Sequence, residues 1–87
     1  MTTRLDTTTN NKKTDNRVVP AERLIFARNF RKARKAAELT QRDVKELTGF
    51  AQSWISELET GQSTINLDNM AILAACVGVP LWKLLVP

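Results

Sequence analysis

Eighty-seven residues with a net charge of +4 and a sequence pI near 9.7 allow one small domain, and the basic balance suits an anionic partner. Histidine is absent and Cys76 is the only cysteine, which excludes an internal disulfide and a Cys/His zinc site. No apolar run approaches the roughly 20 residues of a membrane-spanning helix, and the polar N-terminal stretch lacks the apolar core of a signal peptide, so a soluble, cytoplasmic protein without membrane contact is expected.

Residues 1–19 are rich in Thr and Asn, with Leu5 the only large apolar side chain between Met1 and Val18. Such a segment buries too little surface to offset its ordering entropy and reads as a disordered tail. Arg4, Lys12, Lys13 and Arg17 outnumber Asp6 and Asp15, so the tail is either a plain linker or a basic arm for a nucleic acid. Pro20 suits a first helical turn and Glu22 its positive end, and a helix is predicted over 21–37. Leu24, Ala27, Phe30, Ala33 and Ala37 recur at helical spacing and are expected to face the core, with Phe26 beside that stripe. Arg23, Arg28, Arg31, Lys32, Arg34 and Lys35 take the other faces; solvation is the ordinary role there, and phosphate contact an added one for some.

Residues 39–61 carry the strongest pattern in the chain. Thr40 is a good N-cap, and Asp43 three residues on can reach back to complete a capping box. Val44 and Leu47 share one helix face, Phe50 follows the break, and Gly49 stands where a left-handed C-terminal residue ends the helix. A second helix is predicted from Ala51 or Gln52 to Thr60, stopped by Gly61, with Ile55 and Leu58 inward. Helix, glycine turn, helix is the helix-turn-helix arrangement. On the second helix Ser53, Ser56 and Glu57 point outward, with Gln52 at the N-terminal tip, where a helix entering the major groove meets base edges. Gln can pair with adenine, Ser with several bases, and Glu can accept from cytosine. An ordinary solvated face is the alternative; the preceding helix and Gly49 favour the reading face. Trp54 lies on the border of the inward face, where its ring can pack on the core edge and its indole N–H can still reach a phosphate.

Beyond the loop, Asn66 is a good N-cap with Asp68 in the first turn. A fourth helix is predicted over 67–77, with Leu67, Met70, Leu73, Ala74 and Val77 inward and Gly78 as its stop. Pro80 opens a short fifth helix to about Leu85 that buries Val79, Leu81 and Leu84.

Leu39-Thr40-Gln41, Gly49, Gln52-Ser53-Trp54-Ile55-Ser56, Glu59 and Gly61 together resemble the Cro and phage-repressor type of helix-turn-helix, also called the xenobiotic-response-element family, over about residues 24–85. The resemblance implies an all-α, compact five-helix, lambda-repressor-like domain over 20–87, with the motif at about 40–60 and the disordered tail before it. It also implies a bacterial or phage-encoded, nucleoid-associated protein that binds double-stranded DNA and needs no cofactor. By the same resemblance Gln41 contacts a phosphate, Gln62, Ser63, Thr64 and Asn66 meet the DNA backbone beside their turn and cap roles, and Arg34 and Glu59 form a partly buried ion pair. Ala51 departs from the family, which places a capping Ser or Thr there; such a cap is worth ~1 kcal/mol.

Ile72 and Trp82 fall where the pattern and the family both expect polar residues, and Leu85 and Val86 adjoin Trp82. Either this cluster is a dimer interface or Trp82 folds back over the domain's own core. The expected function is a sequence-specific transcriptional regulator, a dimeric repressor reading an inverted repeat. The alternative is an antitoxin or other protein-interaction module on the same scaffold. An enzyme is not expected: there is no histidine, nucleophile elbow or glycine-rich phosphate loop.

Overall fold

The computed structural model describes residues 18–87, so the expected tail, apart from Val18 and Val19, lies outside the described residues. Four α-helices and a closing 3-10 helix follow in order: α1 (Ala21–Ala36), α2 (Gln41–Thr48), α3 (Gln52–Glu59), α4 (Leu67–Cys76) and the 3-10 helix (Leu81–Leu85). The fifth element is therefore not an α-helix. Lys83 N–H donates to Pro80 O at 3.0 Å, an i to i+3 bond, and a run of five residues closes more readily in that tighter geometry. No helix of the described residues is long and apolar enough to cross a membrane.

The helix ends follow local chemistry. At α2, Asp43 N–H donates to Thr40 Oγ1 (3.0 Å) and Thr40 N–H to Asp43 Oδ2 (2.9 Å), closing the capping box. Those hydrogen bonds to Thr40 hold the Asp43 carboxyl below its ordinary range. A depressed carboxyl contributes stability above its unfolded-state pKa and loses it as pH falls through the folded value, so this cap weakens only in acid. Gly49 (φ 82°) ends the helix in the left-handed conformation, its N–H donating to Lys45 O at 2.8 Å. α3 begins at Gln52 with extended Ala51 before it and no side-chain cap.

α1, α3 and α4 share one closing motif, in which the second residue past the C-cap donates five residues back: Leu39 N–H to Arg34 O (3.0 Å), Gln62 N–H to Glu57 O (2.9 Å) and Val79 N–H to Ala74 O (3.1 Å). Two of the three place glycine at the left-handed position; α1 places Glu38 there, with φ 60°.

Phe26, Phe30, Val44, Ile55, Leu58 and Leu73 are fully buried, with Ala74, Val77 and Leu84 completing the core. The Phe26 and Phe30 rings stack with centroids 6.0 Å apart. Phe26 is thus at the centre of the buried stripe and not beside it, which overturns the inward placement of Leu24. At about 100° per residue Leu24 lies on the far side of the helix from Phe26, and it remains 49% exposed. Ala37 is also exposed, because α1 has already ended at Ala36.

Leu67 shares a face with Ala74 yet is 65% exposed; it opens α4, and helical side chains lean toward the N-terminus, which carries it off the packed surface. Leu47 is exposed as well, displaced round α2 from Val44. α1 packs on α3 and on the 3-10 helix, α2 on α3 and α4, and α4 on the 3-10 helix. Asn29 secures the last of these elements to α1, its Nδ2 donating to Leu84 O (3.1 Å) and Val86 O (2.7 Å). Cys76 is half-buried, and burial raises its thiol, which leaves it protonated at neutral pH as a small packing group.

Candidate nucleic-acid interface

The candidate reading helix is anchored from behind. Ile55 and Leu58 sit fully in the core, and α2 packs across α3. That fixes the rotation of α3 about its axis and leaves Ser53, Ser56 and Glu57 exposed on the opposite side, with Gln52 exposed at the N-terminal tip. These are short, amide or carboxylate groups, with Gln52 and Ser53 in the first turn and Ser56 and Glu57 one turn on. Trp54 is half-buried at the border, its ring tilted 59° against Phe50 with centroids 5.0 Å apart.

Glu59, in the last turn of α3, ties three helices together. Arg34 Nε donates to Glu59 Oε2 at 2.6 Å and a terminal Arg34 nitrogen to Oε1 at 3.0 Å, a bidentate fork with both residues buried. Arg34 also donates to Leu39 O at 2.7 Å, bracing the turn after α1. Gln41 Nε2 donates to the same Glu59 Oε1 at 3.1 Å. The Gln41 amide is therefore held from inside by one hydrogen while a second remains for an outside acceptor.

The other expected backbone residues lie along the segment after α3. Gln62 and Thr64 are exposed, and Ser63 is half-buried with its hydroxyl donating to Thr64 O at 3.0 Å. Asn66 Oδ1 accepts Asn69 N–H at 2.8 Å, so its carbonyl caps α4 and its amide hydrogens are left over. Arg23 Nε donates to Gly61 O at 3.1 Å, fixing the start of this loop to α1.

Ile72, Trp82 and Val86 are exposed and Leu85 is half-buried. Trp82 does not fold back over the core: it is 62% exposed, with Lys83 Nζ 5.8 Å from its ring centroid. Among the described residues no cluster of His, Cys, Asp or Glu could hold a metal ion.

Asn29 and Arg23 are structural anchors that sequence reasoning missed. Asn29 could have been suspected, because a lone amide between Phe26 and Ala33 at helical spacing needs a partner. Arg23 carried no such signal, since its acceptor is a backbone carbonyl 38 residues away.

Comparison with known proteins bears on the same elements. Residues 30–81 match a family model described as helix-turn-helix. The chain is 32% identical over 65 residues to an uncharacterised HTH-type transcriptional regulator, y4dJ, of Sinorhizobium fredii strain NBRC 101917 / NGR234, spanning 75% of this chain and 84% of that protein. Among solved structures it is similar to the restriction-modification controller protein C.AhdI from Aeromonas hydrophila, with a TM-score of 0.69 and 28% identity over 75% of this chain and 98% of that one. A hypothetical transcription factor, NHTF, from Neisseria matches with a TM-score of 0.71 and 29% identity over 87% of this chain and 91% of that one.

Proposed function

The chain belongs to the Cro/C1-type helix-turn-helix family of DNA-binding transcriptional regulators, and from that premise we infer that it is a dimeric repressor reading an inverted repeat through the major groove. The observation that carries the reading is the division of α3, with Ile55 and Leu58 fully buried, Ser53, Ser56 and Glu57 exposed on the side away from them, and Gln52 exposed at the N-terminal tip. In this reading those four side chains choose the sequence. Gln41, Trp54, Gln62, Ser63, Thr64 and Asn66 hold the backbone on either side, and most of the affinity is salt-dependent phosphate contact. Glu59 positions the Gln41 amide and touches no DNA. Repression requires only that the occupied site overlap a promoter.

Selection from a randomised duplex pool tests the reading, with enrichment of an inverted repeat expected. On the selected duplex Gln52→Ala should cost about 1–3 kcal/mol and relax preference at one base position. Gln41→Ala should weaken selected and random sequences alike. Sequence-blind binding by the unaltered protein, or full specific affinity in both variants, would remove the groove assignment.

In this reading the two-fold partner covers the 3-10 helix and the adjoining face of α4. The exposure of Ile72 on α4 and of Trp82 and Val86 at the 3-10 helix that packs on it supports this. Trp82→Ala should convert dimer to monomer in a sedimentation experiment. A protein already monomeric at high concentration would instead assign these residues to a different protein partner.

A further inference from the structure

Four cations recur on one side of α1 at residues 28, 31, 32 and 35, the i, i+3, i+4, i+7 spacing of a single helix face. Arg28, Arg31, Lys32 and Lys35 are all exposed, and they line a cleft of about 290 Å³ whose other side is formed by Glu59 and Thr60. The carboxylate in that cleft does not neutralise them. Glu59 is already engaged by Arg34 at 2.6 and 3.0 Å and by Gln41 at 3.1 Å, and Arg31 Nε stands 4.0 Å from it, beyond hydrogen-bond reach. Among the described residues no other carboxylate lies within salt-bridge distance of the four.

We propose that this row is an additional track for the DNA phosphate backbone, extending the interface from α2 and the loop after α3 onto α1. The proposal rests on the reading of the interface given above and adds a subsite to it. The cleft adjoins the candidate backbone groups through its Glu59 and Thr60 wall. Glu59 Oε1, which faces Arg31, is the atom that holds the Gln41 amide. Thr60 precedes Gly61 and Gln62, and Arg23 of α1 donates to Gly61 O at 3.1 Å. From Arg28 to Lys35 the helix rises about 10 Å, while one DNA strand presents a phosphate about every 3.4 Å of helix axis. A uniform row of like charge along that length matches a uniform polyanion, and its contacts add affinity without sequence preference.

The test is a salt titration of DNA binding by fluorescence anisotropy, on random-sequence duplex and on the selected duplex, with the full chain. Arg31→Gln and Lys35→Gln should each reduce the slope of log Kobs against log salt by about 0.9, as expected for one lost phosphate contact. The reduction should be equal on both duplexes, with base preference unchanged. Lys45→Gln, the same charge change on the exposed side of α2, should leave the slope as it was, and circular dichroism melts should show all three variants folded.

Slopes for Arg31→Gln and Lys35→Gln that match Lys45→Gln would overturn the proposal. So would an unchanged DNA slope with lost binding to a poly-glutamate peptide, which assigns the row to an acidic protein. Failure of the groove reading looks different: the unaltered protein would prefer no sequence, while the slopes on random duplex would still decide the α1 track.

Discussion

Replacing Glu59 with alanine should cost about 3–5 kcal/mol of folding stability, the range for breaking a buried ion pair by removing one partner. Arg34 and Glu59 side chains are only 9% and 2% exposed, so the substitution strands a guanidinium in the protein with a single remaining acceptor, Leu39 O. Most of the cost is that uncompensated charge and not the worth of the bond. Arg34→Met with Glu59→Leu should therefore recover most of the loss, because a buried pair is often replaceable by apolar groups of similar volume. Urea unfolding of the single and double variants separates the two terms. A single-variant cost below about 1 kcal/mol would place the pair with ordinary surface ion pairs. The double variant is the more informative for function. It restores the packing of α1 on α3 yet leaves the Gln41 amide without its inner acceptor, so its DNA affinity should stay low on every sequence even where its stability is recovered.

What could be read from the chain alone divides by the distance between partners. The capping box of Thr40 and Asp43, the left-handed Gly49 and the Asn66 cap depend on groups within a few residues of each other, and local spacing suffices to identify them. Burial of Ile55 and Leu58 followed from periodicity, and with it the exposed side of α3. The Arg34–Glu59 pair spans 25 residues; no periodic pattern encodes it, and only resemblance to a family suggested it. Periodicity misled where two apolar stripes competed on α1. Leu24 and Phe26 cannot both face inward, and the larger aromatic surface of Phe26 and Phe30 prevails.

Glu38 was illegible for another reason. A left-handed residue after a helix is normally announced by glycine or asparagine, and here the chain accepts the strain of a side chain at φ 60° because the Ala37 N–H to Ala33 O and Leu39 N–H to Arg34 O bonds fix both neighbours. The candidate backbone residues after Gly61 were legible as turn and cap chemistry. What holds their loop in place, the Arg23 bond to Gly61 O, was not.

Gly61→Ala should destabilise the fold by more than the left-handed backbone cost of about 1–2 kcal/mol, because a steric contact adds to it. Gly61 has φ +78°, and a Cβ built there would stand 2.6 Å from Leu24 Cδ2. This contact accounts for the position of Leu24, which is turned from the core by Phe26 and spreads over the only kind of residue that leaves room for it. Leu24 is flexible enough to retreat, but retreat gives up its packing on the loop that Arg23 secures and that carries Gln62 to Asn66.

Gly78 provides the internal control. It has the same φ of +78° at the end of α4 and nothing within 4 Å of a built Cβ. Gly78→Ala should therefore cost only the backbone part, about 1–2 kcal/mol. Combining Gly61→Ala with Leu24→Ala should bring the glycine penalty down to that same level, when each is referred to its own parent in a double-mutant cycle. The excess for Gly61 should also appear as weaker binding to all DNA sequences, since the displaced loop is the one proposed to hold the backbone. Equal stability losses at Gly61 and Gly78 would leave the Leu24 contact without energetic weight, and the seating of the loop would then rest on the Arg23 hydrogen bond alone.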